Sequence, residues 1–346
     1  MSLNVHEGNY MKIFGINNSG FTSNNINNKI KKNTNLSNGY NIRIQTSPMT
    51  DTICFKGKGL IKPITSLKSS NKKPIKMFFT DIDGTIRKYD GKIPETARKG
   101  IHMLQKSGVS VIYATGRSSI ELKPVMEDIG VKSDYLITQQ GGAILDKNGN
   151  ILFEDKIKPE TVKKIAQIGL ELTQKDPQLK MVFYIKGMPT SNSKDAKLPT
   201  NQSLDTAYMP LDEMIEKSVT KILFLKKDSK SMDEMNSTRD DLRKGLDVEN
   251  ELTVFNSGTW YCEVSNKTTS KGQAIKFLTD YIGLNLDECA AIGDAENDLD
   301  MMRTVNKGNG VSIAMGNAQD CVFDEAEFKT EHINNDGYYL AIKNIL

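Results

Sequence analysis

The chain has 346 residues, enough for about two domains, and 38% of them are hydrophobic against 26% charged. This composition supports a packed core and excludes a membrane-spanning chain, since no window approaches the ~18 consecutive apolar residues that a spanning helix needs. The net charge of +3 hides an asymmetry: residues 1–75 hold 11 lysines and arginines against 2 acids, while the remainder holds 35 against 41, which argues against a basic globular surface for nucleic acid.

At the N-terminus, MSLNVHEGNYMKIFG contains no apolar run of signal-peptide length, so a cytoplasmic protein without a membrane partner is expected. The first 41 residues include twelve asparagines. Such a composition buries too little apolar surface to offset the entropy of ordering, which predicts a disordered, basic, Asn-rich tail over 1–74.

From Ile75 the pattern changes. Ile75–Thr80 reads as a short buried strand running into the acidic loop Asp81-Ile-Asp-Gly-Thr85. Pro94 opens a helix with Ala97, Ile101 and Leu104 on one face. A strand at Val109–Ala114, a helix through Leu122 and Met126 and a strand at Tyr135–Ile137 follow. This alternation predicts a parallel sheet with right-handed crossovers. A hairpin is then expected, Ala143–Leu145 and Ile151–Phe153 around Asp146-Lys-Asn-Gly149. Next come a helix carrying Val162, Ile165, Ala166, Gly169 and Leu172, strands at Met181–Ile185 and Lys221–Leu225, and a long polar loop at 187–210 that is either functional or mobile. A helix at Met232–Leu246 and strands at Leu252–Phe255 and Trp260–Val264 close this block. Alternation resumes with a helix at Ser270–Ile282, a strand at Cys289–Ile292, a helix at Asn297–Val305 and a strand at Val311–Met315. The predicted architecture is an α/β, Rossmann-like parallel-sheet core split into 75–142 and 265–346, with an α+β cap inserted at 143–264.

Four cysteines (Cys54, Cys262, Cys289, Cys321) without a CxxC pair suit reduced thiols, and three scattered histidines (His6, His102, His332) make histidine-based chemistry a poor fit. Chemistry concentrates instead where predicted strands end, the usual place for ligands in such sheets. Asp81 and Asp83, at i and i+2, point the same way off an extended chain, and Gly84 exposes backbone amides to an anion. Thr115 and Gly116, in Ala114-Thr-Gly-Arg117, offer a hydroxyl and free amides ahead of a helix. Gly293-Asp-Ala-Glu-Asn-Asp298 presents hard oxygen ligands suited to Mg2+. Lys271 sits just inside a helix capped by Ser270, where a cation makes sense only opposite an anion.

Taken together, these motifs resemble the haloacid dehalogenase superfamily of phosphoryl-transfer enzymes over residues 76–346. The long insertion, GDAEND and Val311-Ser-Ile-Ala-Met-Gly-Asn-Ala318 look like its Cof-type branch (class IIB), with an α+β cap. The resemblance implies that Asp81 is a nucleophile forming an aspartyl-phosphate and Asp83 a general acid, then base. It implies that Thr115 and Lys271 hold the phosphoryl group and that Asn297 hydrogen-bonds to phosphate or substrate. Mg2+ would be held by the Asp81 carboxylate, the Asp83 backbone carbonyl and Asp294, with Asp298 as a further or water-mediated ligand. Two positions depart from the pattern: Gln140-Gly141 stands where Asn-Gly is common, and Tyr338 stands where a small residue is usual.

The expected activity is Mg2+-dependent hydrolysis of a small phosphorylated metabolite, with a sugar phosphate as one class. A phosphomutase is the alternative, but its second phosphate would need cap arginines, and only Arg239 and Arg243 are present in the cap. A transport ATPase would have Thr, not Asp, two places after the nucleophile, and membrane spans. A non-catalytic binding protein on the same fold is the reading from another class.

Overall fold

The computed structural model describes residues 3–6, 10–13, 61–198 and 204–346. The chain divides into two units, with the boundary between residues 61 and 62. Within the first, Leu3–His6 pairs antiparallel with Tyr10–Ile13, a short hairpin where the sequence suggested no regular structure. The rest of the expected tail up to residue 60 lies outside the described residues.

The second unit begins with β1 (Lys62–Pro63) and a 3-10 turn at Ile64–Ser69. It continues through β2 (Met77–Thr80), α1 (Glu95–Lys106), β3 (Ser110–Ala114), α2 (Ser119–Ile129), β4 (Tyr135–Thr138), β5 (Ala143–Asp146) and β6 (Ile151–Glu154). The inserted block holds α3 (Pro159–Lys175), β7 (Lys180–Ile185), β8 (Met188–Ser191), β9 (Ala207–Tyr208), β10 (Val219–Leu225), α4 (Met232–Gly245), β11 (Leu252–Gly258) and β12 (Tyr261–Asn266). The chain returns through α5 (Lys271–Ile282), β13 (Cys289–Gly293), α6 (Leu299–Lys307), β14 (Val311–Ala314), β15 (Phe328–Lys329) and α7 (Gly337–Ile345).

Among the described residues, nine strands make the core sheet, in the order β1-β15-β14-β13-β2-β3-β4-β5-β6. All neighbours are parallel except the last two pairs. The central strands are apolar without alternation because both faces are covered. Phe78, Val111, Ala290 and Ile292 point into the layer holding Ile101 and Leu104 of α1, while Met77, Phe79, Ile112 and Ala291 meet Ala274, Ile275 and Leu278 of α5. Tyr338 belongs to the first layer, its ring edge-on to Phe78 at 6.1 Å between centroids, so the aromatic departure is a packing residue. The cap sheet has the order β9-β8-β7-β10-β12-β11. One of its faces, with Met181, Phe183, Ile222, Phe224 and Val264, is buried under α3 and α4.

The structure corrects three expectations. Ordered chain begins before residue 74: β1 pairs with β15, and Ile64 and Leu67 are buried in the core. The hairpin 143–154 belongs to the core sheet, pairing with β4, which places the start of the cap near residue 155 instead of 143. Glu296–Asp298 forms a separate 3-10 turn, and the helix expected from Asn297 starts at Leu299. No helix among the described residues is long and apolar enough to cross a membrane.

Ile64 and Leu67 lie three apart on one side of their turn, a spacing too brief to register as a periodic segment. Leu67→Ala is expected to cost about 2–3 kcal/mol in chemical denaturation. A chain beginning at residue 75 should melt several degrees below one beginning at residue 62, and equal melting temperatures would show that this segment adds nothing to the core.

Candidate active site

The parallel register aligns the ends of β2, β3 and β13, with Thr80 opposite both Tyr113 and Ile292. Asp81, Thr115 and Asp294 follow these ends immediately, so three segments separated by up to 213 positions open on one crevice. Asp81 is held at the strand end by its amide, which donates to Ile292 O at 3.0 Å.

Lys271 opens α5 behind them, fully buried, with Ser270 capping the helix through Gln273 N. Its Nζ lies 2.6 Å from Asp81 Oδ1 and 2.6 Å from Asp298 Oδ1. The anion that a cation at this helix end requires is therefore a pair of carboxylates. The other Asp298 oxygen accepts the amides of Asp294 and Ala295 at 2.9 and 3.0 Å. With both oxygens engaged, Asp298 fixes Lys271 and the loop that carries Asp294.

Asp294 accepts from Thr85 Oγ1 at 3.1 Å and from Tyr89 OH at 2.7 Å. Asn317 reaches the same carboxylate at 3.5 Å and also donates to Gly84 O at 2.8 Å. Gly84 adopts φ +93°, and a Cβ there would run into the Asp294 carboxylate. Only glycine lets the loop after Asp83 close on Asp294.

Electrostatics within this cluster are unbalanced. Asp81, Asp294 and Asp298 are all buried, and one oxygen from each lies within 4.8 Å of the others. A single ammonium faces three carboxylates. Burial pushes the Asp81 carboxyl well above its ordinary value, against the Lys271 charge and hydrogen bond and with the charges of Asp298 and Asp294. Burial likewise raises Asp294 to about 6, against the Tyr89 hydrogen bond and with the Asp298 charge. Hard oxygen donors with an excess of two negative charges are the donor set a divalent cation takes, so the residues present fit a metal at this point.

Asp83 has different partners. Arg117 grips it through two bonds, Nε to Oδ2 at 2.8 Å and Nη2 to Oδ1 at 2.9 Å, and Arg87 Nη1 adds a third at 3.0 Å. Burial alone would raise this carboxyl, but the two guanidinium groups outweigh it and hold Asp83 below the ordinary carboxylate range. An ionised Asp83 is at odds with the proton-bearing acid expected from the sequence.

A cavity of about 670 Å³ opens from Asp81 and Asp83 towards the cap, with Thr115, Gly116, Gln140 and Asn297 along its core side. Thr115 Oγ1 accepts the Arg117 amide at 3.2 Å. Asn297 Nδ2 donates to Gln140 Oε1 at 3.1 Å, which brings the departing Gln140 and the expected Asn297 together. Gly116 leaves room for that amide: a Cβ would come 2.6 Å from Gln140 Nε2. Lys271, Asp294 and Asp298 pack behind this surface, and Gly84 lies against Asp294. Arg87 and Tyr89 escaped the sequence reading, and Thr85, Arg117 and Asn317 appeared there only as parts of motifs, because these are loop residues whose partners are set by the fold.

Comparison with known proteins shows the family. Residues 78–342 match the family model of haloacid dehalogenase-like hydrolases. The chain belongs to that family, as a Cof-type phosphatase. It is 28% identical over 240 residues to the HMP-PP phosphatase of Cronobacter sakazakii, covering 69% of this chain and 83% of that protein. It is 27% identical over 272 residues to the 5-amino-6-(5-phospho-D-ribitylamino)uracil phosphatase YcsE of Bacillus subtilis, covering 78% and 95%. In fold it is similar to the crystal structure of TM0651 from Thermotoga maritima, with a TM-score of 0.67 at 22% identity over 79% of this chain and 98% of the other.

Because the folded Asp294 value lies above that of an unfolded carboxylate, the metal-free fold binds an extra proton and loses stability as the pH rises through about 6. A cation must displace that proton. Mg2+ should therefore raise the melting temperature more at pH about 7.5 than at about 5, and Asp294→Asn should flatten the difference. A metal shift unchanged by Asp294→Asn would separate this carboxylate from the metal.

Proposed function

We propose that this phosphatase hydrolyses phosphomonoesters of small metabolites, sugar phosphates being one class, through an aspartyl-phosphate on Asp81 with Mg2+ as cofactor. The observation that carries the reading is the Asp81 carboxylate itself. Oδ1 is fixed by the buried Lys271, while no hydrogen bond among the described residues reaches Oδ2, and the group lines the cavity. A carboxylate so held is oriented for attack, with one oxygen neutralised and the other directed at phosphorus.

In the first step Asp81 Oδ2 bonds to phosphorus as the ester oxygen leaves with its electron pair, and Asp83 gives that oxygen a proton. In the second, Asp83 removes a proton from water, which attacks the phosphorus and returns Asp81 as a carboxylate. Thr115, Gly116 and Lys271 supply the donors that meet the charge spread over the phosphoryl oxygens. Asp81, Asp294 and the Asp83 backbone carbonyl would hold Mg2+, which would supply further neutralisation of that charge. Asp298 holds Lys271 and the Asp294 loop in place.

The ionised Asp83 suits the second step. For the first, it must take up a proton, which requires release from the bidentate Arg117 contact. An incoming phosphate dianion competes for that same guanidinium, so substrate entry itself favours the release.

A phosphomutase finds less support. Arg243 spends its guanidinium on Val254 O at 3.0 and 2.8 Å, Arg239 pairs with Asp240 at 2.8 Å, and neither lines the cavity. A non-catalytic binding protein would have no use for an activated Asp81.

Asp81→Asn should abolish phosphate release from para-nitrophenyl phosphate in Mg2+ while circular dichroism stays unchanged, and EDTA should do the same reversibly. Persistent turnover would remove Asp81 from the nucleophile's role. Asp83→Asn should lower kcat about 10²–10⁴-fold on an alkyl phosphate. The loss should be smaller on para-nitrophenyl phosphate, whose leaving group needs no proton, and equal losses on both would argue against acid catalysis by Asp83.

A further inference from the structure

The far wall of the cavity is the open face of the cap sheet. Strand β10 alternates there: Ile222 and Phe224 are in the layer under α3 and α4, while Lys221 and Leu223 line the cavity. Tyr184 from β7 and Tyr261 and Glu263 from β12 line it too, as does Glu121 from the core helix α2.

Lys221 is the unusual member of this wall, almost fully buried and the one charged residue in its strand. Its Nζ lies 3.3 Å from Glu263 Oε2 and 4.4 Å from the centroid of the Tyr184 ring. The Tyr184 hydroxyl has only a long contact, 3.5 Å, to Glu121 Oε2. Burial raises both Tyr184 and Tyr261, so each keeps its proton and remains a donor. A buried ion pair is weak support for a fold, since apolar residues of similar volume do as well or better. Here it lies in the wall of the substrate cavity, with donors beside it that are poorly used.

The balance of charge along the cavity is uneven. At the end near Asp81 the Arg87 and Arg117 guanidinium groups stand against the Asp83 and Asp81 carboxylates, two charges of each sign. On the cap wall Lys221 stands with Glu263, and Glu121 of the core helix α2 adds a second carboxylate beside Tyr184. We propose that this cap wall reads the leaving group: Lys221, Tyr184 and Tyr261 donate to its oxygens, Glu263 accepts from its hydroxyls, and the two glutamates repel a second phosphate. The substrate class that fits is a monophosphate on a neutral, hydroxyl-bearing body, with bisphosphates rejected. This rests on the phosphatase reading above and adds residues and a sign of selectivity to it.

The test uses the full chain in Mg2+ with three probes: a hexitol monophosphate, a hexose bisphosphate and para-nitrophenyl phosphate, whose flat ring offers no hydroxyls. The parent protein should prefer the monophosphate to the bisphosphate by about tenfold or more in kcat/KM, and to the aryl phosphate by a similar factor. Glu263→Gln, nearly isosteric, should shrink the first ratio by improving the bisphosphate. Lys221→Met should raise KM for the hexitol monophosphate by about tenfold more than for the aryl phosphate. Melting curves of both variants establish that they are folded. A bisphosphate turned over as well as the monophosphate, or variants that scale all three probes alike, would overturn the proposal. Absence of turnover on every probe, the aryl phosphate included, would defeat the phosphatase reading instead. The wall is then tested by calorimetric binding of the mono- and bisphosphate, where equal affinities overturn it and a preference for the monophosphate sustains it.

Discussion

One buried ammonium ties the site together. Lys271 touches Asp81 at the end of β2 and Asp298 in the turn after β13, each at 2.6 Å, and it does so from the first turn of α5. Removing it would leave two carboxylates buried without a counter-charge, at a cost of several kcal/mol. The contact also relays order: Asp298 passes its second oxygen to the amides of Asp294 and Ala295, so the position of Asp294 depends on the same lysine. Three distant segments acquire one geometry through one side chain. What they leave uncompensated, two negative charges, is the electrostatic reason for a divalent cation.

The sheet and the principal site residues were legible in the sequence because both follow from local pattern. Apolar runs such as Met77–Thr80 and Cys289–Ile292 end abruptly in acids, and parallel registry then brings the strand ends together. The cap boundary was not legible: a hairpin such as 143–154 reads the same whether it extends the core sheet or opens a new domain, because the choice is made by pairing with β4. The state of Asp83 was hidden for a related reason. Paired carboxylates suggested one ionised nucleophile and one proton-bearing acid, but Arg87 and Arg117 come from two different loops, and only the fold sets them around Asp83. Lys221 did leave a signal, a charge inside the apolar run Val219–Leu225, although the sequence alone does not say which face it occupies.

The cap's relation to the chemistry follows from where it is attached. The chain enters the cap after β6 and leaves it after β12, and both linkers converge on Asp155. Asn266 Nδ2 donates to its Oδ1 at 2.7 Å, and the hydroxyls of Thr268 and Thr269 donate to its Oδ2 at 2.9 and 2.8 Å. The outgoing linker is thus pinned to the incoming one immediately before Ser270 and Lys271. A second tie joins the core loop to the cap, Thr220 Oγ1 donating to Gln139 Oε1 at 2.6 Å, one residue from Lys221 and one from Gln140. That tie sets Lys221 beside the core loop of Gln140, while Lys271 is anchored between its carboxylates. The division of labour is therefore built into the connections: the residues that hold the nucleophile are fixed to the core sheet, and those on the cap wall belong to an element tied to it at Asp155, at Thr220 and by the long Tyr184–Glu121 contact.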